Sequence, residues 1–166
     1  MKRVLLGSMP ASLAEFEQLK QKFSATSPED VCALFIAALH VLTRNKQDGY
    51  AAVNALRGPR PLSRYEEQFL WDRLYDKLYL PMVYCDGAAP GNDYTPAQPI
   101  SITVHDDPRP QDMQQGYMRC YIKTAGADSP RAVTLRQKGS TGEWFLWEYP
   151  AIVMGVRVPV SQDPWA

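Results

Sequence analysis

Ile100-Ser101-Ile102-Thr103-Val104-His105 alternates apolar and polar side chains without a break. Successive residues of a β-strand point to opposite faces, so this spacing predicts a half-buried strand. Three further runs follow. Gly116 to Thr124 sets Met118, Cys120 and Ile122 against Tyr117, Arg119, Tyr121 and Lys123. Arg131 to Lys138 sets Val133 and Leu135 against Thr134 and Arg136. Gly139-Ser140-Thr141-Gly142 has hairpin length and leads into Glu143 to Tyr149. A last short strand is expected over Ile152 to Val158. Short turns between successive strands imply an antiparallel meander.

Upstream of Ile100 the period changes. Asp86 to Pro99 is rich in Gly, Ala, Pro, Asn and Asp, and reads as a long ordered loop pinned by Tyr94. Before it the spacing is helical. Ser12 to Glu15 and Ser63 to Glu66 match the capping box, and Ser27-Pro28-Glu29-Asp30 sets a cap, a first-turn proline and two acids in order. Val31, Leu34, Phe35, Ala38, Leu39 and Leu42 form a helical stripe that Cys32, Ile36 and Val41 widen, as expected of a central helix buried on more than one side. Asn45 to Gly49 reads as its polar stop, Tyr50 to Leu56 as a short third helix, and Ser63 to about Lys77 as a fourth. The plan is α+β in one domain over 1–166, with a helical layer at about 12–78, the loop at about 86–99 and a curved antiparallel sheet at about 100–158. In element order this resembles the cone-shaped fold of nuclear transport factor 2; an open sheet with one helical layer is the rival.

Composition narrows the functional classes. Across 166 residues, 45% are hydrophobic and 22% charged, which suits a folded domain rather than a disordered chain. Eighteen basic and eighteen acidic residues give zero formal charge, so no long-range field draws in nucleic acid or an acidic membrane. The apolar run after Lys2-Arg3 stops at Gly7, short of a signal-peptide core, and no later stretch reaches membrane-spanning length. Cys32, Cys85 and Cys120 are scattered and form no C-x-x-C pair, which fits reduced thiols and a cytoplasmic location.

No motif carries an evident chemistry. Phosphate-binding glycine loops and calcium-loop spacing are missing, and no cofactor or metal is expected. His105-Asp106-Asp107 is too small a group on one face to hold a metal, Cys85 has no base or oxyanion turn beside it, and His40 reads as a core histidine. The densest cluster is Trp144-Phe145-Leu146-Trp147-Glu148-Tyr149. Alternation puts Trp144 and Leu146 opposite Phe145, Trp147 and Tyr149, the pattern of a strand covered on both sides or lining a cavity. The candidate ligand-binding residues are therefore Trp71, Tyr75, Tyr117, Tyr121, Trp144 and Trp147, around a cavity between helices and sheet. Asp128, Arg131 and Arg136 form a candidate recognition loop, with arginines suited to carboxylate or phosphate. Arg57, Arg60 and Arg64 make a looser basic group, with Glu66 and Glu67 close by to neutralise it.

Several stretches together resemble a small bacterial family classed only as a domain of unknown function. They are Gly126 to Arg131, Leu135 to Gly139, Trp144 to Glu148, Leu56 to Pro59 with Pro61 to Ser63, and Asp163 to Ala166. The resemblance implies a stand-alone bacterial protein and brings no activity, cofactor or catalytic residue. Two functional readings remain: a non-catalytic binding or accessory protein with a protein partner, or a small-molecule binder, enzymatic or not, with an aromatic cavity. A homodimer is left open. Arg119, Lys123, Arg136 and Lys138 beside Tyr117 and Tyr121 have the charge and stacking mix of a single-strand binder, but the zero net charge argues against nucleic acid.

Overall fold

The computed structural model describes residues 1–166. Strand β1 (Lys2–Gly7) precedes helices α1 (Leu13–Lys20), α2 (Pro28–Arg44), α3 (Lys46–Asn54) and α4 (Arg64–Leu74). Strands β2 (Ile100–Asp106), β3 (Tyr117–Ile122), β4 (Arg131–Gln137) and β5 (Trp144–Glu148) follow. The five strands form one curled antiparallel sheet in the order β1-β2-β3-β4-β5. The α+β plan of helices and an antiparallel meander therefore holds, with one strand that the sequence reading did not contain. β1 lies against β2, with Val4 opposite Ile102 and Lys2 opposite Val104. Val4 and Leu6 face the core while Leu5 between them is exposed.

Helix α2 is the axis of the core, buried without interruption from Asp30 to Leu42. It packs on the sheet at β1, β2, β3 and β5 and touches the other three helices. The Ser27 hydroxyl accepts the Asp30 N–H at its start, and Lys2 reaches the Asp30 carboxylate at 2.8 Å, which ties β1 to the helix. Ser63 and Glu66 make the full reciprocal capping box of α4, which ends at Leu74, a turn earlier than expected. The polar run after α2 ends that helix at Arg44 but also starts the next. Asn45 accepts the Asp48 N–H and caps α3, so Gly49 lies inside a helix.

Tyr94 anchors the long loop as its position implied. It is buried, stacks on Tyr79 at 5.6 Å and donates its hydroxyl to the Arg157 carbonyl at 2.6 Å.

The strand expected over Ile152 to Val158 is absent. Pro150 has no N–H to give a ladder, and Pro150–Val153 forms a single 3-10 turn. The carbonyls beyond it are taken by a side chain instead. Arg131 donates to Met154 at 2.8 Å, to Gly155 at 2.5 Å and to the Tyr84 hydroxyl at 3.2 Å. A lysine at this position keeps the charge but cannot span these acceptors. Arg131→Lys is expected to lower stability by about 2 kcal/mol, read as a shift of the urea midpoint at unchanged slope.

Candidate functional site

Side-chain alternation divides the sheet into two unlike faces. Val133, Leu135, Cys120, Ile122 and Leu146 are buried in the core. Tyr117, Arg119, Tyr121, Thr134, Arg136, Phe145 and Trp147 point the other way and stay half-buried or exposed. β5 is the terminal strand rather than a central one. Its outer edge is closed by the helical layer, because the Trp144 N–H donates to the Ala25 carbonyl at 2.7 Å and the Leu146 N–H to the Leu56 carbonyl at 2.8 Å. The second of these bonds lays the Leu56 to Arg60 loop beside the outer face. Gly58 takes a φ of +61° there, and a Cβ on it would meet the Phe145 ring at 3.0 Å.

The result is a cleft of about 390 Å³ lined by Arg57, Arg60, Arg136, Lys138, Phe145 and Trp147, with Pro59, Gln137 and Gly139 completing it. Four of these residues are basic and none is acidic, in a chain of zero net charge. The Arg60 guanidinium lies 4.3 Å from the Trp147 ring centre. That of Arg136 lies 4.8 Å from Trp147 and 5.4 Å from Tyr117, whose ring meets Trp147 edge-on at 5.7 Å. Cation–π attraction thus holds both arginines in place without using their N–H groups. Neither guanidinium donates a hydrogen bond to the protein, and neither they nor Lys138 has a carboxylate within ion-pair distance. Three other arginines of the chain are engaged instead: Arg119 on Asp107 at 3.0 Å, Arg157 on Asp128, and Arg131 on three oxygens.

Arg57 differs from its neighbours in burial. Only 2% exposed, it donates Nε–H to the Arg60 carbonyl at 2.9 Å and Nη2–H to the Glu66 carboxylate at 3.2 Å. Its Nη1 has no partner in the protein, a costly state for a buried donor. Burial works against the Glu66 charge, but the Ser63 N–H, Arg57 and the Tyr149 hydroxyl outweigh it and hold the carboxyl below its usual value. Burial, reinforced by Glu66, pushes the Tyr149 hydroxyl well up, so it stays a donor.

The residues singled out in sequence are dispersed by the fold. Trp147, Tyr117 and Arg136 come together on the outer face. Trp144 points inward, where Phe23, Val31 and Leu34 leave only about 50 Å³. Trp71 on α4 pairs with Tyr75 at its C-cap, with centres 6.3 Å apart and Lys46 over Trp71, away from the clefts that Trp147 borders. Tyr121 sits beside Arg119, at 5.8 Å. Asp128 and Arg131 are engaged by the C-terminal segment, so of that trio only Arg136 presents a free guanidinium.

His40, Asp106 and Cys85 are held or unreactive. His40 is buried with Nδ1 at 2.8 Å from the Pro10 carbonyl. Asp106 holds the terminal ammonium at 2.7 Å. Burial, with Asp86 beside it, pushes the Cys85 thiol up to about 12, far from a nucleophile's range.

Sequence reasoning missed Arg60, Lys138 and Phe145 as partners of Trp147. Their signals were local: a basic group around Gly58-Pro59, Phe145 on the Trp147 side of its strand, and Lys138 grouped with Arg136 beside Tyr117. The loop that unites them is brought in by one long-range backbone bond.

No helix is long and apolar enough to cross a membrane. No curated protein and no solved structure matches the chain. A family profile matches residues 8–160, nearly the whole chain, and the protein belongs to that family, described as a domain of unknown function (DUF6935).

Proposed function

We propose that this protein is a non-catalytic binding protein whose ligand is a small anion seated in the outer-face cleft. One observation carries the reading: Arg60, Arg136 and Lys138 converge on a concave surface with no acid among its lining residues, while aromatic stacking keeps the guanidinium donors free. Three cations gathered without counter-charge raise the local potential and repel one another, a cost that an anionic ligand relieves. The volume suits a small molecule, and Phe145 and Pro59 supply apolar wall. An interior cavity is a weaker reading, because 39 buried residues fill the space between helices and sheet. The cleft holds donors and no nucleophile–base pair, which supports binding rather than turnover.

Calorimetric titration at low ionic strength with phosphate and with citrate tests this. Wild type is expected to bind at least one of them saturably. Arg136→Ala is expected to weaken that binding about tenfold to a hundredfold, the worth of charge-assisted hydrogen bonds of about 1.5–3 kcal/mol. Absence of saturable binding to both, or equal binding by the variant, rejects the site.

A further inference from the structure

We infer that the group taken by this cleft is phosphoryl, as free phosphate or as the head of a small phosphomonoester. The inference rests on the anion-site reading and narrows it. Donors reach the cleft from separate elements: Arg57 and Arg60 from the loop after α3, Arg136 from β4, and Lys138 from the turn beyond it. A planar carboxylate offers two oxygens and is satisfied by a single guanidinium fork. A phosphoryl group offers three terminal oxygens spread around a tetrahedron, and donors from several directions suit it better.

Charge points the same way. A phosphomonoester carries about −1.5 to −2 near neutral pH, against the three unpaired cations of Arg60, Arg136 and Lys138. A monocarboxylate would leave two of them uncompensated. Arg57, in the wall of the cleft, shares its charge with Glu66 and keeps a buried Nη1 without a partner. The Gly139 N–H also has no acceptor in the protein, and no heavy atom stands within 4 Å of where its Cβ would be, so the turn is open to an oxygen.

The surroundings limit the ligand's size. Trp147 borders two further clefts, and both contain carboxylates: Glu66 and Glu148 in one, Asp112 and Glu148 in the other. A phosphate chain running past Trp147 in either direction meets negative charge. The ligand is therefore compact, with one anionic head in the cleft and any organic part against Phe145 and Pro59.

The test is tryptophan fluorescence and calorimetric titration of the full chain at low salt. The probes are inorganic phosphate, adenosine 5′-monophosphate, adenosine, succinate and a short oligothymidylate. The expected result is saturable binding of phosphate or the monophosphate at least about tenfold tighter than succinate, with adenosine silent. Lys138→Ala, at an exposed turn where folding is not at risk, is expected to lose about tenfold, as one charge-assisted contact would. Monophosphate above phosphate assigns the ester as the ligand, and equal affinities assign free phosphate. Succinate binding as tightly overturns the phosphoryl assignment and leaves the anion site standing. Binding of none of the probes removes both. Tightest binding to oligothymidylate, with a steep salt slope, overturns the compact ligand.

Discussion

Gly49→Ala is expected to destabilise the protein by about 3 kcal/mol, although alanine is the better helix former by about 1 kcal/mol. The sign is set by the contact between α2 and α3. A Cβ at Gly49 would stand 2.3 Å from the Leu42 Cα and 2.5 Å from its Cβ. Backbone atoms of a buried helix cannot swing aside as a side-chain tip can, so α3 must be pushed off α2. That displacement loosens Tyr50, Ala52 and Val53, all buried by the same packing. Urea unfolding of the variant measures the loss. A neutral or stabilising result would show that the two helices do not approach this closely.

Arg57→Met is expected to cost about 3 kcal/mol, within reach of the values for breaking a buried ion pair and lowered somewhat because Glu66 is about a quarter exposed. The substitution removes the Glu66 partner and the donor that fixes the Arg60 carbonyl, so the loop that shapes the cleft loses its inner anchor. The effect has a defined pH dependence. The Glu66 carboxyl is held below its usual value, so its stabilisation is present above the unfolded value of about 4.3 and is lost as pH falls through the lower folded one. The gap between wild type and variant is therefore expected to narrow below about pH 4. Urea midpoints at neutral and acid pH check both statements, and a gap that widens on acidification contradicts the pairing.

Much of the fold was legible because its local signals agree. Ser27-Pro28 and the Ser63–Glu66 box mark true helix starts, and the alternation from Ile100 to Leu146 gives four of the five strands in order. β1 was illegible because Leu5 breaks its alternation and only pairing with β2 selects Val4 and Leu6 for the core. The polar run at Asn45 to Asp48 misled for a related reason: the same residues that end one helix serve as cap and first turn of the next. The segment after Pro150 has β-branched residues, yet Arg131 claims its carbonyls from another strand.

The candidate site was legible only in halves. Strand alternation gave Trp147 with Phe145, Tyr117 with Arg119, and Arg136 with Thr134 as same-face pairs, each within its own strand. Which strands adjoin followed from the meander, but the position of the Leu56 to Arg60 loop did not. Composition was misleading in its own way, since a total charge of zero conceals a cleft with no acid lining it. Burial also separates two arginines that the sequence placed in one group. Arg57 is consumed by Glu66, whereas Arg60, three residues on, keeps its donors free against Trp147.

The most direct measurement of the central claim is a backbone and arginine side-chain NMR titration of the protein with inorganic phosphate. Saturating shifts concentrated at the Gly139 N–H, the Nε–H groups of Arg60 and Arg136 and the Trp147 indole N–H are the predicted result. Shifts scattered over exposed lysines without saturation, or saturating shifts clustered elsewhere on the molecule, would contradict it.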